Sequence, residues 1–264
     1  MPVAIRENLE QRLRRFVRRY RYRGDVHCAL CGAHFDEFVD TGFQSPLTIS
    51  RNIIGMGPAK DMCPVCSGRA RTRLILLYLQ EQILSQRGDA EILHFAPEYP
   101  LQSWIKLYPR VSLTMCDLMP EVYDLIDGVE QTDITALKYA DQSFDLVICS
   151  HVLEHVPDDR LAMREVMRVL KPGGKAILLA PFAIDGMGTD EDPSITDAKE
   201  RERRFGQSDH IRIYERDEFV RRVEETGFSV RLFDPYKEYP ALAKEMALNP
   251  LELLPIAERP KALS

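Results

Sequence analysis

The chain has 264 residues, 45% of them hydrophobic, and a net charge of −6, which suits one α/β domain plus a small module. No apolar run approaches the roughly 20 residues of a membrane span, and the Arg-rich residues 1–24 do not read as a secretory signal peptide. The expectation is a cytoplasmic protein whose six cysteines are thiols or metal ligands rather than disulfides.

Residues 1–24 hold eight Arg and two Glu, a local charge of +6 that leaves −12 on the rest. Ile5, Leu9, Leu13, Phe16, Val17 and Tyr20 recur at helical spacing. This predicts a basic amphipathic helix docked on its own protein. The other use of a basic arm on an acidic body is contact with nucleic acid.

Residues 25–70 carry Cys28-Ala-Leu-Cys31 and Cys63-Pro-Val-Cys66. Two thiolates two residues apart can bite one ion, and two such pairs complete a tetrahedron. The spacing predicts a zinc-ribbon-like module with a closed, structural zinc on Cys28, Cys31, Cys63 and Cys66. A segment this poor in large apolar residues needs such a staple.

A helix is expected from Arg69 to Gln86, with Arg69, Arg71 and Arg73 at its start as solvated surface or as an anion contact. A strand at Glu91–Phe95 leads into Ala96, Pro97 and Glu98. A second strand, Val111–Cys116, ends at Asp117, where a carboxylate can accept two ribose hydroxyls. A third, around Gly128–Thr132, precedes Asp133. Cys116 and Cys149 read as buried thiols.

Phe144–Cys149 is a nearly continuous apolar run, the mark of a strand buried on both faces. Asp158 or Asp159 can cap a helix to about Leu170, with Leu161, Val166, Val169 and Leu170 as its apolar positions. Lys171-Pro172-Gly173-Gly174 reads as its stop, and Lys175–Ala180 as the next strand. Strand, helix and strand make one right-handed βαβ unit.

Asp145-Leu146-Val147, Leu153-Glu154-His155-Val156 and Leu170-Lys171-Pro172-Gly173-Gly174, in that order, resemble the fourth strand, fourth helix and fifth strand of class I S-adenosylmethionine-dependent methyltransferases. The resemblance implies a doubly wound, seven-stranded, mostly parallel Rossmann-like sheet over residues 71–264. It also implies a cofactor site at Phe95, Ala96, Pro97, Glu98, Asp117, Leu118, Asp133, Ile134, Ser150 and His151, with Asp133 at the adenine and Ile134 packing nearby. The first loop departs from the family, because Ala96-Pro97-Glu98 stands where a Gly-rich turn is usual. The Gly-x-Gly pairs at Gly55/Gly57 and Gly186/Gly188 do not sit between a strand and a helix and so do not replace it.

His151-Val-Leu-Glu154-His155 also spells an inverted zinc-protease motif, but at a strand-to-helix junction rather than on a helix. After Pro181 the expected features are a lid-like insertion over residues 182–210 and a helix near Ile195–Arg204. A helix from Glu215 to Thr226, a sixth strand Phe228–Phe233 and an antiparallel seventh near Leu253–Glu258 follow.

The reading is methyl transfer to a small-molecule acceptor held beneath residues 182–210. His151 and His210 are the candidate bases, meeting across the substrate, with Glu154 or Asp209 orienting them. RNA as acceptor, reached through the zinc module and basic helix, ranks lower because the chain is acidic overall. A degenerate fold acting as a binding module is the third reading.

Overall fold

The computed structural model describes residues 24–42, 45–84 and 89–261. The basic helix expected over residues 1–24 lies, apart from Gly24, outside the described residues. Among the described residues no helix is long and apolar enough to cross a membrane.

Seven strands build the central sheet: β1 (Ala90–Phe95), β2 (Val111–Asp117), β3 (Val129–Gln131), β4 (Phe144–Ser150), β5 (Leu170–Leu179), β6 (Ser229–Phe233) and β7 (Leu254–Glu258). Their order is β3-β2-β1-β4-β5-β7-β6. The pairings from β3 through β5 are parallel, and β7 runs antiparallel between β5 and β6, as expected. Leu146, Val147, Ile148 and Cys149 of β4 are wholly buried, which is why this strand reads as an unbroken apolar run.

Helices α1 (Ala70–Tyr78), α2 (Tyr99–Ile105), α3 (Asp159–Val169), α4 (Ala198–Phe205) and α5 (Arg216–Glu224) follow in chain order. α1 does not run to Gln86 as one α-helix; it widens into a π-helical stretch, Leu79–Leu84. Asp158 caps α3 by accepting from the Leu161 amide, a contact that contributes about 1 kcal/mol. α3 buries Ala162, Met163, Val166 and Val169, whereas Leu161 is on its exposed side. The Leu170–Gly174 stretch is no mere helix stop. It opens β5, with a register shift against β4 and with Gly173 at φ +76°, where the Gly173 amide donates to the Arg259 carbonyl.

Two small hairpin pairs precede the main sheet: Val26–His27 with His34–Phe35, and Val39–Thr41 with Ala59–Met62. Residues 182–210 are pinned to the body. Phe182–Ala183 and Asp190–Glu191 flank Arg212–Glu215 in a three-stranded sheet. Arg51 grips the Asp185 carboxylate at 2.7 and 3.1 Å and the Gly188 carbonyl at 2.6 Å, tying the N-terminal module to this insertion.

Candidate functional site at the carboxyl edge of the sheet

Register builds the site. Phe95 of β1 pairs with Cys116 of β2 and with Cys149 of β4, and Asp117 pairs with Gln131 of β3. The next residues, Ala96, Asp117 and Ser150, therefore stand side by side at the carboxyl ends of three parallel strands. Asp133 follows two residues past the end of β3. Ligands of open α/β sheets bind at this edge.

The chain turns sharply there. Ala96 has φ +47° and His151 φ +56°, conformations that L-residues adopt only when neighbours hold them. The Ala96 amide donates to Cys116 O at 3.1 Å and the His151 amide to Leu179 O at 2.7 Å. Asp117 accepts from the Met119 amide at 2.8 Å and from the Tyr123 hydroxyl at 2.7 Å. Asp133 accepts from the amide and hydroxyl of Thr135 at 2.8 and 2.7 Å. Phe95 and Ile134 are buried, Leu118 is exposed, and the buried Ser150 hydroxyl has no protein partner.

Glu98 stands where a glycine was expected, and it is engaged. It accepts from Arg71 Nε at 3.0 Å and from the Thr72 hydroxyl. Burial works to raise its pKa, but Arg71 and Thr72 together hold it below the usual carboxylate range. Beneath it, burial pushes His94 down to about 4. The three arginines of α1 divide their work. Arg69 pairs with Asp61 at 3.0 Å. Arg73 is fully buried and donates to the carbonyls of Asp61, Gly68, Met246 and Ala247. Arg71, through Glu98, is the one bonded to the loop that follows β1.

A cavity of 540 Å³ lies on the far side of Arg71 and Gly55 from this edge, and none of Ala96, Asp117, Ser150 and His151 lines it. Arg71 and Gly55 are in its wall, with Asp61, Lys60 and Glu252 around them. Gly55 has φ +88°, and a Cβ there would lie 3.4 Å from His151 Cε1 and 3.7 Å from Glu252 Oε1. His151 thus stands directly behind Gly55. Burial pushes Glu252 up to about 7 and His151 well below its ordinary value. A smaller hollow of 270 Å³, lined by Pro97, Tyr99 and residues 122–126, opens beside Asp117.

The roof of the larger cavity comes from residues 48–61 and 247–252, and no residue of 182–210 lines it. His210 does not meet His151 across a substrate. It is fully buried, its Nδ1 lies 3.2 Å from the Phe205 carbonyl, and its ring meets His155 edge-on at 4.7 Å. Glu154 lies behind His151, with Oε1 3.5 Å from Nδ1, and burial pushes it up to about 7. Asp209 pairs with His155 at 3.3 Å, not with His210. The sequence reading missed Tyr123, Glu252 and Gly55. The Gly-x-Gly pair at 55–57 was the one local signal available, and its partners are distant in the chain.

In the cysteine module, Cys28 Sγ is 3.8 Å from Cys66 Sγ, and Cys31 Sγ is 3.8 Å from Cys63 Sγ. The four sulfurs all lie within 4.8 Å of one another. A tetrahedral zinc with Zn–S near 2.3 Å has an S···S edge of about 3.8 Å, so the donor set fits that ion. The Val65 and Cys66 amides point at Cys63 Sγ at 3.4 and 3.5 Å, and Gly68 leaves space where a Cβ would strike Leu30.

Residues 103–178 match the family model described as "Methyltransferase domain". The ubiquinone/menaquinone biosynthesis C-methyltransferase UbiE of Bdellovibrio bacteriovorus is 46% identical over 50 residues, 19% of this chain and 21% of that protein. The ubiquinone biosynthesis O-methyltransferase of Xanthomonas oryzae pv. oryzae is 39% identical over 77 residues, 25% of this chain and 32% of that protein. The chain thus spans between a fifth and a third of the length of these curated relatives. An S-adenosylmethionine-dependent methyltransferase structure from Mesorhizobium loti covers 73% of this chain and 99% of its own, at 20% identity and a TM-score of 0.46. The family match spans α2 to β5, the part of the chain that builds the centre of the seven-stranded, mostly parallel Rossmann-like sheet ordered β3-β2-β1-β4-β5-β7-β6.

Proposed function

We propose that the chain transfers a methyl group from S-adenosylmethionine to a small-molecule acceptor, and that its four-cysteine module holds one structural zinc. The observation that carries the reading is a juxtaposition. Ala96, Asp117 and Ser150 share one sheet edge, and the wall of the 540 Å³ cavity backs onto residues next to it, Arg71 pairing with Glu98 and Gly55 lying against His151. The relatives named as C- and O-methyltransferases of ubiquinone biosynthesis support a small acceptor.

The cofactor, when bound, supplies an electrophilic methyl group on a sulfonium. The chain's own residues position and desolvate. Asp117 would accept the ribose hydroxyls, with Asp133 and Ile134 at the adenine. Glu98 and Arg71 offer a carboxylate and a guanidinium to the zwitterionic amino-acid end, replacing the close backbone approach of a Gly-rich turn. Orphaned polar atoms fit an occupant here: the Ser150 hydroxyl and His151 Nε2 are buried without protein partners. His151, whose unpartnered Nε2 lies behind Gly55, is the candidate base. Enclosure by residues 48–61 and 247–252 excludes water and holds the reactants in line.

Zinc belongs to this reading because it orders the segment that presents Arg71. The Cys63–Cys66 knuckle ends five residues before Arg71, and Arg73 ties the same stretch to residues 246–247. The test is calorimetric titration with S-adenosylmethionine and its demethylated product. Methyl-labelled cofactor would then be offered to metabolite pools and total RNA side by side. Binding with label in the metabolite pool is expected. Absence of binding overturns the enzyme reading, and label found only in RNA overturns the small-molecule one.

A further inference from the structure

One buried cluster of ligating side chains lies behind the cavity wall. Glu154 is 1% exposed and His210 0%, and neither carboxylate oxygen of Glu154 nor Nε2 of His210 has a hydrogen-bond partner in the fold. His155 completes the group. Its ring stands edge-on to His210, and the ligand atoms of the three residues lie within 4.8 Å of one another.

The chain holds this cluster rigidly. The Ile211 amide donates to Glu154 O at 3.1 Å. Arg212 donates to the carbonyls of Leu153, Val156 and Pro157, and the Tyr214 hydroxyl contacts Leu153 O at 3.2 Å. The strand that follows His210 is thus bonded along the whole turn that carries Glu154 and His155.

The outer contacts set the chemistry. His210 Nδ1 faces the Phe205 carbonyl at 3.2 Å, so it carries the proton and leaves a lone pair on Nε2. His155 Nδ1 faces Asp209 at 3.3 Å, which leaves its Nε2 as the lone-pair nitrogen. A carbonyl or carboxylate behind each imidazole is the usual support of a metal-bound histidine. Glu154 and His210 then offer unpartnered acceptor atoms to one point, His155 brings a ring nitrogen within reach of both, and the nearest other polar group is His151 Nδ1, 3.5 Å from Glu154. Burying a carboxylate with no partner costs several kcal/mol, and a cation is what such a set would satisfy.

We propose that Glu154, His155 and His210 bind a divalent first-row transition ion, zinc being the ion whose three-protein-ligand sites use this donor set. The site is distinct from the four-cysteine module and stands whether or not the methyl-transfer reading does. It sits one residue behind His151, whose Nδ1 is 3.5 Å from Glu154. It is not the protease arrangement, in which both histidines of the motif ligate and the glutamate does not, because here Glu154 belongs to the donor set and His151 faces Gly55.

The test uses the full-length chain without an affinity tag, stripped of metal and titrated with excess Co²⁺. Two equivalents are expected. One brings the intense thiolate-to-cobalt charge-transfer absorption of the cysteine site, the other only the weak d–d bands of nitrogen and oxygen ligands. Glu154→Gln and His155→Ala should each fall to one equivalent while the thiolate signal stays. A wild type that saturates at one equivalent with the thiolate signature overturns the proposal. So do folded variants that still take up two. If neither variant folds, the wild-type stoichiometry and spectrum decide.

Discussion

The Tyr123 hydroxyl donates to Asp117 Oδ2 at 2.7 Å, so the carboxylate at the end of β2 is oriented before any ligand arrives. The Met119 amide holds the other oxygen. Each carboxylate oxygen keeps a second lone pair for a ligand. Asp117→Ala should weaken S-adenosylmethionine binding by about 1.5–3 kcal/mol, roughly 10- to 150-fold. Tyr123→Phe keeps the carboxylate but frees its rotation, so a smaller loss of several-fold is expected. Calorimetry on the three proteins checks the ranking. An Asp117→Ala protein that binds as wild type does would remove this residue from the site.

Arg71 and Glu98 are each about one-fifth exposed in their side chains and pair at 3.0 Å. Arg71→Lys keeps the charge but loses the planar fork. Cofactor affinity should fall about tenfold, with a loss of about 1 kcal/mol in stability. Matched denaturation and binding curves would separate the two effects. A stability loss without a binding loss would make the pair purely structural.

Cys63→Ser should release the metal of the cysteine module and lower the melting temperature. A structural zinc is coupled to the folding of its module. Because that module presents Arg71, cofactor binding should weaken in the same variant even though Cys63 is not one of the residues at the sheet edge. Metal analysis and calorimetry on one preparation would read both. Full cofactor affinity in a zinc-free variant would uncouple the module from the site.

Gly55→Ala places a Cβ 3.4 Å from His151 at a residue with φ +88°. The left-handed backbone makes the change cost about 1 kcal/mol or more in stability. The added methyl group also faces the cavity wall, so turnover should fall while cofactor affinity holds. Equal losses in both would place Gly55 in the cofactor's site rather than the acceptor's.

Glu191 links the 182–210 insertion to the body. It accepts from Arg222 at 2.9 Å twice and from Arg212 at 3.0 Å. Arg222 also pairs with Asp159 at 2.7 Å, and Asp159 accepts from Tyr214. Bonding to Arg222, aided by Arg212, pushes Glu191 down to about 2. A carboxyl whose folded pKa is depressed binds fewer protons when folded than when unfolded. Its stabilisation is therefore complete above about pH 4.5 and lost as pH falls toward 2. Glu191 is more than a third exposed, so solvent screening reduces the effect to about 1–2 kcal/mol. Glu191→Gln should remove that much at neutral pH and flatten the acid side of the stability curve, as urea titrations between pH 2 and 7 would show.

Local pattern determined much of this protein. β4 is legible because a strand buried on both faces must be apolar at every position, and α3 because its cap and its apolar spacing lie within one short stretch. The two CxxC pairs are legible because ligand spacing is a property of a turn. Asp117 was legible because register puts the residue after an apolar strand at the sheet edge. Only the tertiary structure decided what surrounds that edge. Gly55 and Glu252 are nearly two hundred residues apart and meet because Arg73 and the 246–247 carbonyls draw the N-terminal module onto the C-terminal segment. Glu98 reads as a defect in a glycine turn until Arg71 and Thr72 are seen against it. His210 reads as a partner for His151 until the strand after it docks on the 153–157 turn and aims it at Glu154 and His155. Such contacts leave no periodic trace, because each depends on one long-range approach of chain to chain rather than on a repeating face.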